Sequence, residues 1–474
     1  MSTSMSVIDF GAVGDGTTDD SLAFTDALAS SATQIIVPPG TYLVDNVILP
    51  AGKRLEGAGP GQTTLKIVSG STNDLLSAGS ADSVAVIGMT LDCTGAMPPP
   101  PSPSSAPRST GLFLSQCADA LVVDVCVRNA PAHGLNLVNC PRAKVDRIFI
   151  EGSLDWAIRA KGNSSTFSNY SNIHTSHCNR GMMVEDCLLV TCSNISGNGN
   201  TSSTMWFDKA NWCLASNIVD YDSTHGDSVV ISGPSTGTWI MGVSAKNSGG
   251  HGASIASTPA GAPVDCHIVN GYFEAQGECL ACITSQLEDI RRPSNCSIRN
   301  VHGRNPGTDK VSEAFAIVNA TNCVITGSVV DTQGGMLYAA RELDGLGSSD
   351  NNRFEIDNWV AGTAGYFSLA SPTSTIVHTR LERGHLHKSD ADYNWDPAID
   401  ARQISFDAAP LTANRNLTLA PSWPGDRVRV VRAASGSFAL SVKQGSTTLK
   451  ALAAAGDWAE LYSDGTNWKL AASS

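Results

Sequence analysis

The sequence predicts an all-β chain: a right-handed parallel β-helix with an N-terminal capping helix and a C-terminal antiparallel β-module. Three observations carry this. Apolar residues recur at steps of 23 or 24, at Leu114, Leu137, Ala160, Val184, Phe207, Ile231 and Ile255. A second apolar column lies two residues earlier, at Leu112, Leu135, Ile158, Met182, Met205, Val229 and Ala253. Alternate residues of a strand share one face, so the paired columns read as the inward side of a strand repeated once per coil. The intervening stretches are rich in Gly, Asn and Ser, and charged residues are only 16% of the 474, too few for a helix-rich chain. Short strands stacked on copies of themselves make a solenoid, whereas sandwich strands need not hold two columns in register over seven units.

The elements follow in order. Residues 1–34 read as the cap that keeps the lumen from water. Thr17, Thr18, Asp19 and Asp20 precede a short helical run, with Thr18 as N-cap and the aspartates at the positive helix end. Residues 35–400 hold roughly fifteen coils at this period. A small residue opens each inward strand (Gly111, Gly134, Ala157, Gly181, Thr204, Ser228, Gly252). A second strand recurs at Val125, Ile148, Ile173, Ile195, Ile218 and Val243, and Asn172, Asn194 and Asn217 stand just before three of these. Stacked asparagines hydrogen-bond as a ladder, which suits a turn between strands. The proline-rich residues 98–107 read as a loop extruded from one coil, since polyproline cannot join a sheet interior. Residues 401–474 contain Trp423 before Pro424 and Gly425, the alternation Arg427–Val428–Arg429, and Asp464–Gly465–Thr466–Asn467–Trp468, which read as short antiparallel strands with tight turns.

Composition excludes several classes. A formal charge of −13 gives no basic footprint for nucleic acid. No segment approaches the ~20 apolar residues that span a bilayer, and residues 1–11 lack the basic and apolar regions of a secretion signal. All 13 cysteines lie between Cys93 and Cys323. Without a secretion signal, this odd number reads as reduced thiols buried as small apolar groups. Cys279–Leu280–Ala281–Cys282 lacks the second pair of a zinc site, so neither a metal nor a cofactor is expected.

With the coils aligned, strand positions become columns rising about 4.8 Å per step. One outward column reads Ser115, Val138, Lys161, Glu185, Asp208, Ser232, Ala256. Two residues earlier it reads Phe113, Asn136, Arg159, Met183, Trp206, Val230, Ser254. Glu185 and Asp208 are therefore neighbours, flanked by Arg159, Lys161 and Trp206. Carboxylates for acid/base work, an aromatic face for a sugar ring and cations for acidic groups compose a saccharide site. Carboxylates this close repel, so one pKa is expected to rise. A gap of about 5 Å between them fits a retaining glycosidase and a wider one fits inversion. The alternative is a surface ladder of Lys161 and Glu185 that contributes little.

A second column, at the preceding turn, reads Trp156, Arg180, Ser203, Asp227, His251. Asp227 beside His251 reads as a second acid/base pair, although His133 and His225 also precede glycine and suggest mere turn closure. Five extended residues place the two columns about 16 Å apart, as two subsites of one groove. Arg341, Glu342 and Asp344 offer a third site, between subunits.

Asp9–Phe10–Gly11–Ala12–Val13–Gly14–Asp15–Gly16–Thr17–Thr18–Asp19–Asp20 closely resembles the opening of pectate-lyase-like right-handed β-helices, including bacteriophage tailspikes. Pro38–Pro39–Gly40–Thr41–Tyr42 and Leu55–Glu56–Gly57–Ala58–Gly59 resemble the segments that follow in those proteins. The C-terminal residues resemble small phage-tail modules that trimerise or bind sugar. Gly250–His251–Gly252 resembles a segment of polygalacturonase-type glycoside hydrolases, and Asp227 falls on one aspartate of that family's Asp-Asp pair. Thr201–Ser202–Ser203 stands where that family carries Asn-Thr-Asp, so two of its three acids are missing.

The tailspike resemblance implies a homotrimer of the virion, assembled in the bacterial cytoplasm and in contact with phage tail or baseplate proteins. It also implies a depolymerase that cleaves glycosidic bonds of a bacterial capsule, exopolysaccharide or lipopolysaccharide O-chain. A polysaccharide lyase and a non-catalytic receptor-binding spike are the alternatives. On this reading Glu185 and Asp208, then Asp227 and His251, are the catalytic candidates. Arg159, Lys161, Trp206, Trp156 and Arg180 hold substrate.

Overall fold

The computed structural model describes residues 4–97, 109–285, 291–305, 313–330, 338–344, 349–357, 367–368, 376–380, 386–388, 390–395, 402–406, 410–422 and 425–474. The proline-rich segment, Trp423 and Pro424 lie outside the described residues.

The two apolar columns stack as inward residues. Parallel pairing runs Leu112–Leu135–Ile158–Met182–Met205–Val229–Ala253 and Leu114–Leu137–Ala160–Val184–Phe207–Ile231–Ile255, coil on coil. All fourteen are buried. Each large side chain so buried is worth about 1.5–3 kcal/mol, gained only against the coils above and below. Among the described residues these strands belong to a 13-stranded sheet of short strands, an 18-stranded sheet of mostly longer strands forms much of the rest of the wall, and a line of single parallel bridges from Thr166 to Asp350 runs between them. The second strand lies in the longer sheet, in the register Val125–Ile148–Ile173–Ile195–Ile218–Val243. The solenoid makes about fourteen turns. Past Ala253 the regular step lengthens, with Ala253 pairing to Ala281 and Ala281 to Phe315. Strand register survives because the extra residues fall between strands.

The long strands bend at a residue held in the left-handed region, at φ 53–56° for Asp124, Arg147, Asn172, Asn194 and Asn217. Asparagine tolerates this conformation better than most residues with a side chain. The ladder forms: Asn194 Nδ2 donates to Asn172 Oδ1 (2.9 Å) and Asn217 Nδ2 to Asn194 Oδ1 (3.1 Å). It sits at a corner inside the strand rather than in a turn between strands.

All thirteen cysteines are buried and outside disulfides. Most act as donors as well as filler. Where the short strands end, Cys117, Cys140 and Cys187 direct Sγ to the carbonyl two residues back, at 3.2–3.4 Å. Cys213, Cys266, Cys296 and Cys323 do the same at the next corner, at 3.3–3.4 Å. Ser168 and Thr238 fill that second column on other coils and donate to Cys140 O (3.0 Å) and Ala210 O (2.8 Å). Val190 fills the same column between Ser168 and Cys213, so the corner takes a small side chain and an X–H group is common there but not needed.

Among the described residues, Asp220 and Glu342 turn their carboxylates into the lumen. Asp220 accepts the hydroxyls of Thr204, Ser223 and Ser248, each at 2.6 Å, and its neighbours in register, Gly197 and Ala245, are small. Glu342 stands in register with Ile317 on the inward side and accepts Asn352 Nδ2 at 2.9 Å. Glu342 thus points inward, away from Arg341 and Asp344, the residues read with it as a site between subunits. Arg341 faces Glu313 (3.6 Å), and Asp344 accepts the Ser349 N–H (2.7 Å).

The helix Ser21–Ala29 caps the lumen with Phe24, Ala27 and Leu28 buried. Its N-cap is Asp20 rather than Thr18. Thr18 belongs to the extended segment Asp15–Asp19, where its hydroxyl donates to Asp15 (2.9 Å). At the other end, the hairpins Leu440–Gln444 with Thr447–Leu452 and Trp458–Ser463 with Trp468–Ser473 are antiparallel. Earlier strands there pair in parallel, as Gln403–Phe406 does with Arg427–Arg432. Trp395, Phe406, Leu417, Val430, Leu461 and Trp468 form a second apolar core. Among the described residues no helix is long and apolar enough to cross a membrane.

Candidate functional site

The strands Trp156–Lys161, Arg180–Glu185, Met205–Asp208 and Val229–Ser232 lie side by side in the short-strand sheet. Lys161, Glu185, Asp208 and Ser232 stand in one register, and Arg159, Met183, Trp206 and Val230 in another. The predicted columns thus exist, and what the side chains do within them differs from coil to coil.

Glu185 reaches back to the preceding coil. Its carboxylate accepts Arg159 Nε (3.0 Å) and Lys161 Nζ (2.9 Å), and only 8% of the residue is exposed. Burial alone pushes its carboxyl up, but the donors from Lys161 and Arg159 outweigh it and hold it below its usual value. Asp208 reaches forward, accepting the Ser232 hydroxyl (2.9 Å) with Lys209 Nζ 3.8 Å away. Here burial wins: Ser232 and Lys209 do not cancel it, the nearby Glu185 charge adds to it, and the carboxyl is pushed up. The expected divergence of the two carboxylates is present, with Asp208 as the raised member.

Trp206 joins the same network, because its Nε1–H donates to Ser232 Oγ (2.7 Å). The order indole, hydroxyl, carboxylate therefore fixes the ring beside Asp208. Trp156 packs edge-on against Trp206, with centroids 5.7 Å apart, and the Arg180 guanidinium lies 5.2 Å from the Trp156 ring. The two columns expected about 16 Å apart thus meet through these rings. The reason is local: the strands Trp156–Lys161 and Arg180–Glu185 pair from Trp156 and Arg180, two residues before the point where Met205–Asp208, one coil further on, begins, so Trp156 lies in the sheet rather than in the turn. Trp156 is buried, so it supports Trp206 instead of offering a face to ligand. Arg180 also stands 3.7 Å from Asp155.

The side-chain pair of Asp227 and His251 does not form. Asp227 accepts the backbone N–H of His251 (2.8 Å). The imidazole Nδ1 accepts the N–H of Cys279 (3.1 Å), and Nε2 lies 3.2 Å from Glu278. An Nδ1 that accepts leaves the proton on Nε2, aimed at Glu278. His133 repeats the device, its Nδ1 accepting the Trp156 N–H (3.3 Å). Glu278 escaped the sequence reading because it lies on the first lengthened coil, past the regular step. Among the described residues, no group of three His, Cys, Asp or Glu is placed to hold a metal ion.

Residues 4–92 match the family model described as rhamnogalacturonase A/epimerase, pectate lyase-like, a span that includes the Asp9-to-Asp20 motif. The phage-related protein YobO of Bacillus subtilis (strain 168) is 32% identical over 148 residues, 28% of this chain and 17% of that protein. This chain therefore spans less than a fifth of the curated relative it matches. Among solved structures, the A-module of mannuronan C-5 epimerase AlgE6 from Azotobacter vinelandii superposes with a TM-score of 0.56 at 16% identity, over 79% of this chain and 98% of that one. The catalytic unit of a GH87 α-1,3-glucanase from Streptomyces thermodiastaticus strain HF3-3 gives 0.52 at 13% identity, over 79% and 68%. At these identities the likeness is one of fold.

Proposed function

We propose that this chain is a phage tailspike-like depolymerase that hydrolyses a bacterial surface polysaccharide at the strip formed by Glu185 and Asp208. One observation carries the reading: two carboxylates on adjacent coils are driven in opposite directions, as an acid and its ionised partner must be. Asp208, pushed up by burial, gives its proton to the leaving oxygen. Glu185, kept ionised by Arg159 and Lys161, activates water. The two lean toward opposite neighbours, which opens room for that water and favours inversion. Trp206, fixed through Ser232, presents its indole to a sugar ring beside the acid.

The phage-related relative supports a virion role, and polysaccharide-acting proteins of the same fold support the substrate class. A homotrimer on a phage tail is the assembly this reading implies. Elimination at an acidic sugar is disfavoured, because Arg159 and Lys161 spend donors on Glu185 instead of a substrate carboxylate.

The test is digestion of purified capsular polysaccharides, exopolysaccharides and O-chains, followed by mass spectrometry and proton NMR. Hydrolysis adds one water per cut, and inversion shows as the opposite anomer appearing first. An unsaturated, ultraviolet-absorbing product would assign a lyase. Retained binding with an intact polymer would assign a non-catalytic spike.

A further inference from the structure

Each coil leaves the short-strand sheet through a corner whose last residue is held in the left-handed region. On most coils that residue suits the conformation, as do Asp119, Gly237, Asp265, Asn295 and Asn322. Arg142 departs from this at φ 56°, and the next three coils place apolar side chains there, with Phe167, Leu189 and Trp212 at φ 55°, 57° and 54°. The preceding residues bridge in parallel, Thr166 to Leu188 to Asn211, so the three side chains stack along the axis. Bulky residues are rare at positive φ, and strain of this kind gathers at functional places. The same residues are 66%, 38% and 61% exposed, so the folded chain recovers little packing from them.

Trp212 has a seat. A Cβ on Gly237 would stand 2.6, 2.7 and 2.9 Å from three carbons of the indole, so the ring lies face-down on the next coil. The residue as a whole stays 61% exposed. These three coils are also the ones that carry Lys161, Glu185 and Asp208 on the preceding strand, one corner away. The ridge crosses two coil steps, about 10 Å. A line that short, lying next to the acid strip, matches a few sugar rings end to end. Alongside it, Asn169 and Thr191 (joined by a 2.8 Å hydrogen bond) offer polar groups to hydroxyls.

We propose that Phe167, Leu189 and Trp212, with Gly237 as the seat of the indole, form a stacking ridge that holds a polysaccharide chain beside the Asp208 strip. This rests on the reading of that strip as a polysaccharide site. The probe is affinity electrophoresis of the full chain through gels containing mannuronan, α-1,3-glucan or individual capsular polysaccharides and O-chains. In a gel that retards the wild type, Trp212→Ala and Phe167→Ala are expected to weaken retention about tenfold. Gly237→Ala, which displaces the indole, gives a smaller loss, and Arg142→Ala at the same corner gives none. Circular dichroism checks that each variant is folded.

Turnover by Asp208→Asn bears on the acid alone, so its survival would remove that assignment without touching the ridge. Three outcomes overturn the ridge. Trp212→Ala and Phe167→Ala run like wild type in a retarding gel; no polymer retards the wild type; or the substitutions abolish self-association in sedimentation while retention persists.

Discussion

The asparagine ladder and the acid strip are built on one lattice, a column of residues in register one coil apart, and they use it in opposite ways. Asn172, Asn194 and Asn217 repeat a single side chain, so each amide hydrogen-bonds the next along the column, and Asn172 donates onward to Asp146. Lys161, Glu185, Asp208 and Ser232 are four different groups on the same spacing. Glu185 settles with the coil before it, and Asp208, facing the coil after it, keeps a carboxyl raised by burial. Repetition closes a column on itself. A break in repetition leaves a group available for chemistry.

The largest expected effect tests the strip. Asp208→Asn is expected to lower turnover by about 10²–10⁴-fold, the usual share of a general acid. It should also stabilise the fold at neutral pH. With a native pKa raised above the unfolded one, the stability from Asp208 is full below the unfolded value and lost as pH rises through the native value. Neutral asparagine escapes that loss, so the gain in Tm should fade below about pH 4. Unchanged turnover would erase the contrast between strip and ladder.

Glu185→Gln comes next and carries the opposite pH sign. It strips Arg159 and Lys161 of their counter-charge at a cost of about 1–3 kcal/mol in urea denaturation, discounted because both cations are partly exposed. In the wild type, the stability from Glu185 is present at neutral pH and lost as pH falls through its lowered native value. An unfolding curve of Glu185→Gln parallel to wild type from pH 7 to pH 3 would contradict this.

On the ladder, Asn194→Ala breaks two amide contacts and puts alanine at φ 55°. About 1–2 kcal/mol of stability should go, with turnover unaffected. Smallest of all is Cys213→Ser, within about 0.5 kcal/mol, because Ser168 and Thr238 already hold that corner on other coils.

Much of this was legible because the coil step and the alternation of strand faces are both written locally in the chain. They suffice to place Phe207 inside, Asp208 outside, and Glu185 beside it. The lean of a side chain is another matter, since it depends on which donors lie above and below. The His251 pairing was misjudged because a turn histidine carries a backbone N–H as well as a ring, and Asp227 takes the N–H. Thr18 resembled a helix cap, but Asp15 claims its hydroxyl. Phe167, Leu189 and Trp212 stand in turns, where apolar periodicity gives no signal, so their alignment appears only once the coils are stacked.

Asp220 has a bearing on how such a stack is assembled. Coils this alike can be laid down one place out of step, since any pair of apolar columns fits any other. A slip of one coil would part the Asp220 carboxylate from Thr204 and Ser248, donors contributed by neighbouring coils. A buried carboxylate deprived of such donors costs about several kcal/mol. The group thus favours the native alignment of its three coils over that slip.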